Sequence, residues 1–193
     1  MSQEAISLRD RDALIVVDIQ NDFCPGGALP IPQGNEVVPV ANSWIHTARA
    51  LWIPVYCSRD FHPREHPSFR EQGGTWPPHC VQDTWGAQFH PSLEIPDQAR
   101  IVTKGVRFDK DQNSVFEETG LASLLKRDAT QRLFVLGLAL DVCVKASVLD
   151  GLRAGFAVSV LLDGCRAVTE ESGRETINEL ERAGATCISG VST

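Results

Sequence analysis

Five short apolar runs, separated by segments of helical spacing, decide what this chain can fold into. Ala13-Leu14-Ile15-Val16-Val17 is continuous, apolar and rich in β-branched residues, which suits a strand buried on both faces. Comparable runs are Trp52-Ile53-Pro54-Val55-Tyr56, Arg100-Ile101-Val102-Thr103, residues 132–137 and residues 157–162, with a weaker sixth at Ala185-Thr186-Cys187-Ile188. Between them, residues 35–51 place Val37, Val38, Ala41, Trp44, Ile45 and Ala48 along one helical face. Residues 142–154 and 170–183 carry the same period, and Gly155 and Gly184 stand where helices end in a left-handed residue. Strand, helix, strand, repeated with right-handed crossovers, gives an α/β fold with a parallel sheet covered on both sides. With 193 residues and no internal repeat, low-complexity tract or linker, one domain over residues 1–193 is expected.

Charge and cysteine usage narrow the function classes. A net charge of −7 provides no footprint for nucleic acid, whose phosphates demand a basic surface, and none for anionic membranes. No apolar run approaches the ~18 residues that suggest a membrane span. Residues 1–10 lack the basic and then apolar pattern of a signal peptide, so the cytoplasm is the default compartment. The six cysteines, Cys24, Cys57, Cys80, Cys143, Cys165 and Cys187, are dispersed and include no Cys-x-x-Cys pair, which fits a disulfide scaffold poorly.

Residues 60–97 break the strand–helix rhythm: they are Pro- and His-rich, aperiodic and longer than an ordinary connection. Within them, Asp60-Phe61-His62-Pro63-Arg64-Glu65-His66 and then Trp76-Pro77-Pro78-His79-Cys80 gather one carboxylate and three of the five histidines. Asp60 and His62, two apart at a strand end, can point to the same side, with His66 and His79 returning from the loop. Such an O, N, N, N set suits one divalent ion, Zn first, with Mn or Fe as alternatives. Singly, each histidine reads better as a loop-surface or satisfied core residue than as a ligand; only the four together favour a metal. A structural zinc is a further alternative, kept open by Cys80, although dedicated structural sites favour thiolates.

A second group lies at neighbouring strand ends, where ligands gather in parallel-sheet folds. Gly137-Leu138-Ala139-Leu140-Asp141-Val142-Cys143-Val144 runs from a strand into a helix. Cys143 then falls in the first helical turn, where backbone N–H groups and the dipole favour a thiolate and can hold an oxyanion. A cysteine nucleophile needs a base and an electrostatic partner. Asp18, abutting an apolar strand, and Lys104 are the candidates. Alone, Cys143 reads as an inert buried thiol and Lys104 as a solvated loop charge; together with Asp18 they point to catalysis.

The chain resembles the isochorismatase-like cysteine hydrolases, and most closely their nicotinamidase (pyrazinamidase) branch. The resemblance rests on residues 13–29, on Ser58-Arg59-Asp60-Phe61-His62-Pro63 with His66 and Trp76-Pro77-Pro78-His79-Cys80-Val81, and on Lys104-Gly105 with residues 137–144. It implies a three-layer Rossmann-like fold with a six-stranded parallel sheet flanked by helices. It also implies a catalytic triad of Asp18, Lys104 and Cys143, and metal ligands Asp60, His62, His66 and His79. A cis peptide between Leu138 and Ala139 is implied too, with an oxyanion hole from the N–H groups of Ala139 and Cys143. Phe23 and Trp76 would sandwich the substrate ring, with Leu138 beside it. One departure stands out: in Asp111-Gln112-Asn113-Ser114, Asn113 replaces an aromatic residue usual in relatives.

The implied activity is hydrolysis of nicotinamide, and of pyrazinamide-like analogues, to the acid and ammonia through a cysteine thioester, within NAD salvage. In that scheme the ring nitrogen binds the metal while the carboxamide faces Cys143. Two rivals remain: another amide or N-carbamoyl hydrolase, and a silent metal-binding protein of the same fold. The partner expected is a small molecule, with no nucleic acid and no membrane; a homo-oligomer is left open.

Overall fold

In the computed structural model, β1 (Asp12–Val17) is buried at every residue, as its apolar run requires. It lies between two parallel neighbours, β2 (Val55–Asp60) and β4 (Arg132–Leu138). The structure describes residues 7–190; residues 1–6 and 191–193, which include the first part of the N-terminal stretch and both ends of the expected domain, lie outside. Among the described residues, β3 (Arg100–Lys104), β5 (Ala157–Arg166) and β6 (Thr186–Ile188) complete a six-stranded sheet in the order β3-β2-β1-β4-β5-β6, with every pairing parallel. Helices α1 (Val37–Ala50), α2 (Leu121–Arg127), α3 (Lys145–Arg153) and α4 (Glu170–Arg182) connect the strands. The order reverses at β1, so β1, β2 and β4 flank the switch point where open parallel sheets bind ligands.

Helix α1 buries Val37, Val38, Ala41, Trp44, Ile45 and Ala48, the face that the period predicts. Gly155 and Gly184 take positive φ after α3 and α4. Other boundaries differ from the sequence reading for local reasons. Trp52 is not in a strand but in the turn that winds down α1: its φ is 58°, it is 90% exposed, and its N–H donates to Arg49 O. Strand β2 therefore starts at Val55 and runs on through polar Ser58, Arg59 and Asp60. Strand β5 likewise extends to Arg166. Helix α2, only seven residues after left-handed Gly120, carries too short a period to be anticipated. The expected helix at 142–154 begins instead as a π-helical turn, Leu140–Val144, that passes into α3. Such turns concentrate at functional sites.

Candidate active site

Asp18 follows β1, Asp60 ends β2, Lys104 ends β3 and Cys143 lies in the turn after β4, so four neighbouring strand ends supply the site. Strands β1 and β4 approach so closely there that a Cβ on Gly137, at φ 134°, would strike the backbone of Val17. The next peptide, Leu138–Ala139, is cis, as the resemblance implies. The carbonyl of Ala139 then accepts from the N–H groups of Val142 and Val144, both at 3.1 Å, which tightens the turn presenting Cys143.

Lys104 is fully buried, and its Nζ lies 2.8 Å from Asp18 Oδ2, 2.6 Å from Asp60 Oδ1 and 3.4 Å from Cys143 Sγ. Oxygens of Asp18 and Asp60 and the sulfur of Cys143 fall within 4.8 Å of one another. Ser58 Oγ donates to Asp18 Oδ1 at 2.6 Å. The approach of Lys104 to Oδ2 is an ion pair outside hydrogen-bond geometry, so Oδ2 keeps acceptor capacity. Burial pushes the Asp18 carboxyl above its ordinary range, with Lys104 only partly offsetting it. For Asp60, burial is outweighed by Lys104 and His62, and the carboxyl stays below the usual range. Burial opposes the charge on Lys104, but Asp18 and Asp60 prevail and hold it protonated well above its usual value. Burial also drives the Cys143 thiol well above its ordinary value despite Lys104. The helix-start groups that favour a thiolate at Cys143 are thus opposed by burial of the thiol.

The histidines form the other half. The rings of His62 and His66 stack with centroids 4.0 Å apart, and those of His62 and His79 meet edge-on at 4.9 Å. Each has its Nδ1 engaged: His62 with Gly105 O at 2.7 Å, His66 with Ser68 Oγ at 2.7 Å, and His79 with Pro77 O at 2.8 Å. That fixing of one ring nitrogen is how metal-binding imidazoles are oriented. Gly105, at φ 67°, is required where it stands, because a Cβ would collide with the His62 ring. Burial holds His66 down to about 4 and lowers His79, while Asp60 overcomes burial to raise His62. His66 Nε2 is buried without a hydrogen-bond partner.

A divalent ion fits this donor set. Potential ligand atoms of Asp60, His62 and His79 lie within 4.8 Å of one another, and so do those of His62, His66 and Asp111. The expected four thus divide into a trio with His66 on its flank, and the Asp111 carboxylate, which the sequence reading did not single out, lies beside His62 and His66. Among the described residues, Cys80 belongs to no such converging group, which removes the support for a thiolate-based structural site.

Between the histidines and Cys143 lies a small cavity of about 30 Å³. Phe23 and Trp76 line it, as do Ala139 and Cys143; Leu29, Ile31, Val142 and Val168 add apolar walls. Leu138, expected beside the substrate, is instead fully buried in β4 and does not line the cavity. Asp18 and Lys104 are fully buried and do not line it either.

Three supporting residues stand inside the quoted motifs without a role being assigned. Gln20 receives the Asp60 N–H on Oε1 and donates from Nε2 to the Asp60 and Ala87 carbonyls, clamping the end of β2. Asp22 accepts from Cys80 N at 2.7 Å and Ala28 N at 2.9 Å, tying the loop after β1 to the segment bearing His79. Ser58 steadies Asp18.

A parallel α/β sheet with a buried Asp–Lys–Cys trio beside a histidine cluster defines the class to which such a chain belongs. The isochorismatase domain model matches residues 12–191, and the protein is a member of the isochorismatase family. It is 39% identical to the nicotinamidase of Escherichia coli K12 over 90% of this chain and 92% of that protein. The crystal structure of Pyrococcus horikoshii pyrazinamidase in complex with zinc superposes with a TM-score of 0.90 at 39% identity, covering 93% of this chain and 99% of that one. The L. infantum PnC1 structure in complex with nicotinate gives 0.89 at 34% identity, with 96% of each chain covered.

Proposed function

We propose that this protein is a nicotinamidase, hydrolysing nicotinamide to nicotinate and ammonia through a thioester on Cys143, with pyrazinamide-like carboxamides as further substrates. The observation that carries the reading is one cavity joining the thiol to the histidine cluster, with Phe23 and Trp76 on its walls. That geometry fits a flat heteroaromatic ring whose carboxamide points at sulfur. The zinc-bound and nicotinate-bound relatives support it. The histidine cluster also favours this substrate over an N-carbamoyl compound, which has no ring nitrogen to anchor.

Asp60, His62 and His79, with His66, are the residues that would hold the divalent ion, which supplies a Lewis-acidic anchor for a ring nitrogen when bound; the donor set favours zinc over Mn or Fe. The aromatic walls orient the ring, and orientation of this kind is worth several kcal/mol of barrier. Asp18 takes the proton from Cys143 as sulfur attacks the carboxamide carbon, and Lys104, 3.4 Å from Sγ, stabilises the charge that develops there. The N–H groups of Ala139 and Cys143 serve the tetrahedral oxyanion, each worth about 3 kcal/mol. Asp18 returns its proton to nitrogen, the C–N bond breaks, ammonia leaves and nicotinoyl-Cys143 remains. Asp18 then deprotonates a water that attacks the thioester, sulfur departs as thiolate and is reprotonated, and nicotinate is released.

A single domain over residues 1–193 working in cytoplasmic NAD salvage accords with this assignment. No helix among the described residues is long and apolar enough to cross a membrane. The test is ammonia release from nicotinamide by metal-replete wild type, Cys143→Ala and chelator-treated protein. Release by the first alone is expected. No release from wild type would refute the activity, and undiminished release from Cys143→Ala would refute the mechanism.

A further inference from the structure

One edge of the cavity has no part in the reaction as described. Asp111 brings its carboxylate within 4.8 Å of ring nitrogens of His62 and His66. Asn113 sets Oδ1 3.9 Å from Cys143 Sγ and Nδ2 3.5 Å from Asp111 Oδ2. The segment 111–113 therefore spans from the histidine cluster to the nucleophile, the same interval that a bound ring must span. Both side chains line the cavity.

This edge is rich in acceptors. Asp111 Oδ1 accepts from Gln112 N at 2.9 Å, and Oδ2 has only the long contact from Asn113, so lone pairs on the carboxylate remain. The partner of Asn113 Oδ1 is a thiol at sulfur distance, a weak donor readily displaced. A Phe at 113 would seal the edge with hydrocarbon. A bare pyridine offers it only C–H groups and partly desolvates the carboxylate without a compensating bond. A ring amino group would supply the donor, and a hydrogen bond to an ionised acceptor is the stronger kind.

We propose that Asp111 and Asn113 form a substituent-reading subsite that selects heteroaromatic carboxamides carrying a ring amino group over the unsubstituted ring. The proposal rests on the carboxamide hydrolase reading above and adds a substrate class to it. Both residues are specificity determinants here, acting on the ring and not on the scissile bond.

The experiment compares kcat/KM for nicotinamide and its 2-, 5- and 6-amino derivatives in wild type, Asn113→Phe, Asn113→Ser and Asp111→Asn. The readout is the ratio of amino-substituted to plain substrate. In wild type the best isomer should exceed nicotinamide, and its ratio should fall at least about tenfold in Asn113→Phe and Asp111→Asn. Asn113→Ser removes the amide without adding bulk and guards against a folding failure of the Phe variant. Calorimetric binding of the matching aminonicotinate and of nicotinate to Cys143→Ala, with and without each substitution, should show the same loss of preference independently of turnover. Hydrolysis of nicotinamide with ratios unchanged by all three substitutions would overturn the subsite alone. No turnover of nicotinamide would overturn the parent reading, and the calorimetry would still decide the subsite.

Discussion

Replacing Lys104 by Met removes the cation that holds two buried carboxylates together, and its cost can be worked from the geometry. Nζ lies 2.8 Å from Asp18 and 2.6 Å from Asp60, with all three side chains almost wholly out of solvent. Deleting one partner of a buried ion pair costs about 3–5 kcal/mol, because the remaining charge is left uncompensated. Against a total stability of about 5–15 kcal/mol, that is a large fraction. At about 2–4 °C per kcal/mol for a domain of this size, Tm should drop by about 6–20 °C. The pH dependence carries a definite sign. In wild type the Asp60 carboxyl lies below its unfolded value, so its pairing adds stability above the unfolded pKa that is lost as pH falls. Without Lys104, burial dominates and both folded carboxyls rise above their unfolded values; the folded state then binds more protons, and its stability falls as pH rises. The difference between variant and wild type should thus be largest at about pH 7 and shrink towards about pH 4. Urea unfolding followed by tryptophan fluorescence, with chelator present throughout, measures both. A loss under about 1 kcal/mol at neutral pH, or an equal loss at both pH values, would refute the buried-network account.

Two further substitutions separate the halves of the site. His66→Ala deletes a buried Nε2 without a hydrogen-bond partner and should weaken zinc affinity at least about tenfold in equilibrium dialysis; unchanged affinity would place His66 outside the ligand set. In metal-free protein His66 is held down to about 4 against 6.5 in the unfolded chain, so stability should fall as pH drops through that interval, and His66→Ala should flatten the fall seen in urea titrations. Trp76→Ala should raise KM for nicotinamide at least about tenfold while zinc affinity is unchanged; an unaltered KM would remove Trp76 from the ring-binding wall.

The sheet was legible because strands buried on both faces leave continuous apolar runs, and the candidate site because Asp18, Asp60, Lys104 and Cys143 sit where those runs end. Edges were less legible. Trp52-Ile53 reads as strand on hydrophobicity alone, but helix α1 needs those residues to terminate its last turn. The apolar run stops at Tyr56, yet the strand continues through Ser58-Arg59-Asp60, which pairs with Val102-Thr103-Lys104 in β3, since site residues at strand ends are polar. Gln20, Asp22 and Asp111 act through contacts 40 or more residues away or through a fold-back of the chain, which no local pattern records. Leu138 fails for the opposite reason: it neighbours Ala139 in sequence, but it still belongs to β4, which is buried on both faces, so its side chain is part of the core.

The claim on which the account turns is that Cys143 becomes acylated. Acid quenching of metal-replete wild type within the first turnovers on nicotinamide, followed by peptide mass spectrometry, reads it directly. One nicotinoyl group on the peptide containing Cys143, absent after chase into buffer and absent in Cys143→Ala, is the predicted result. Nicotinate released in full with no adduct at any quench time, or an adduct on another residue, would contradict it.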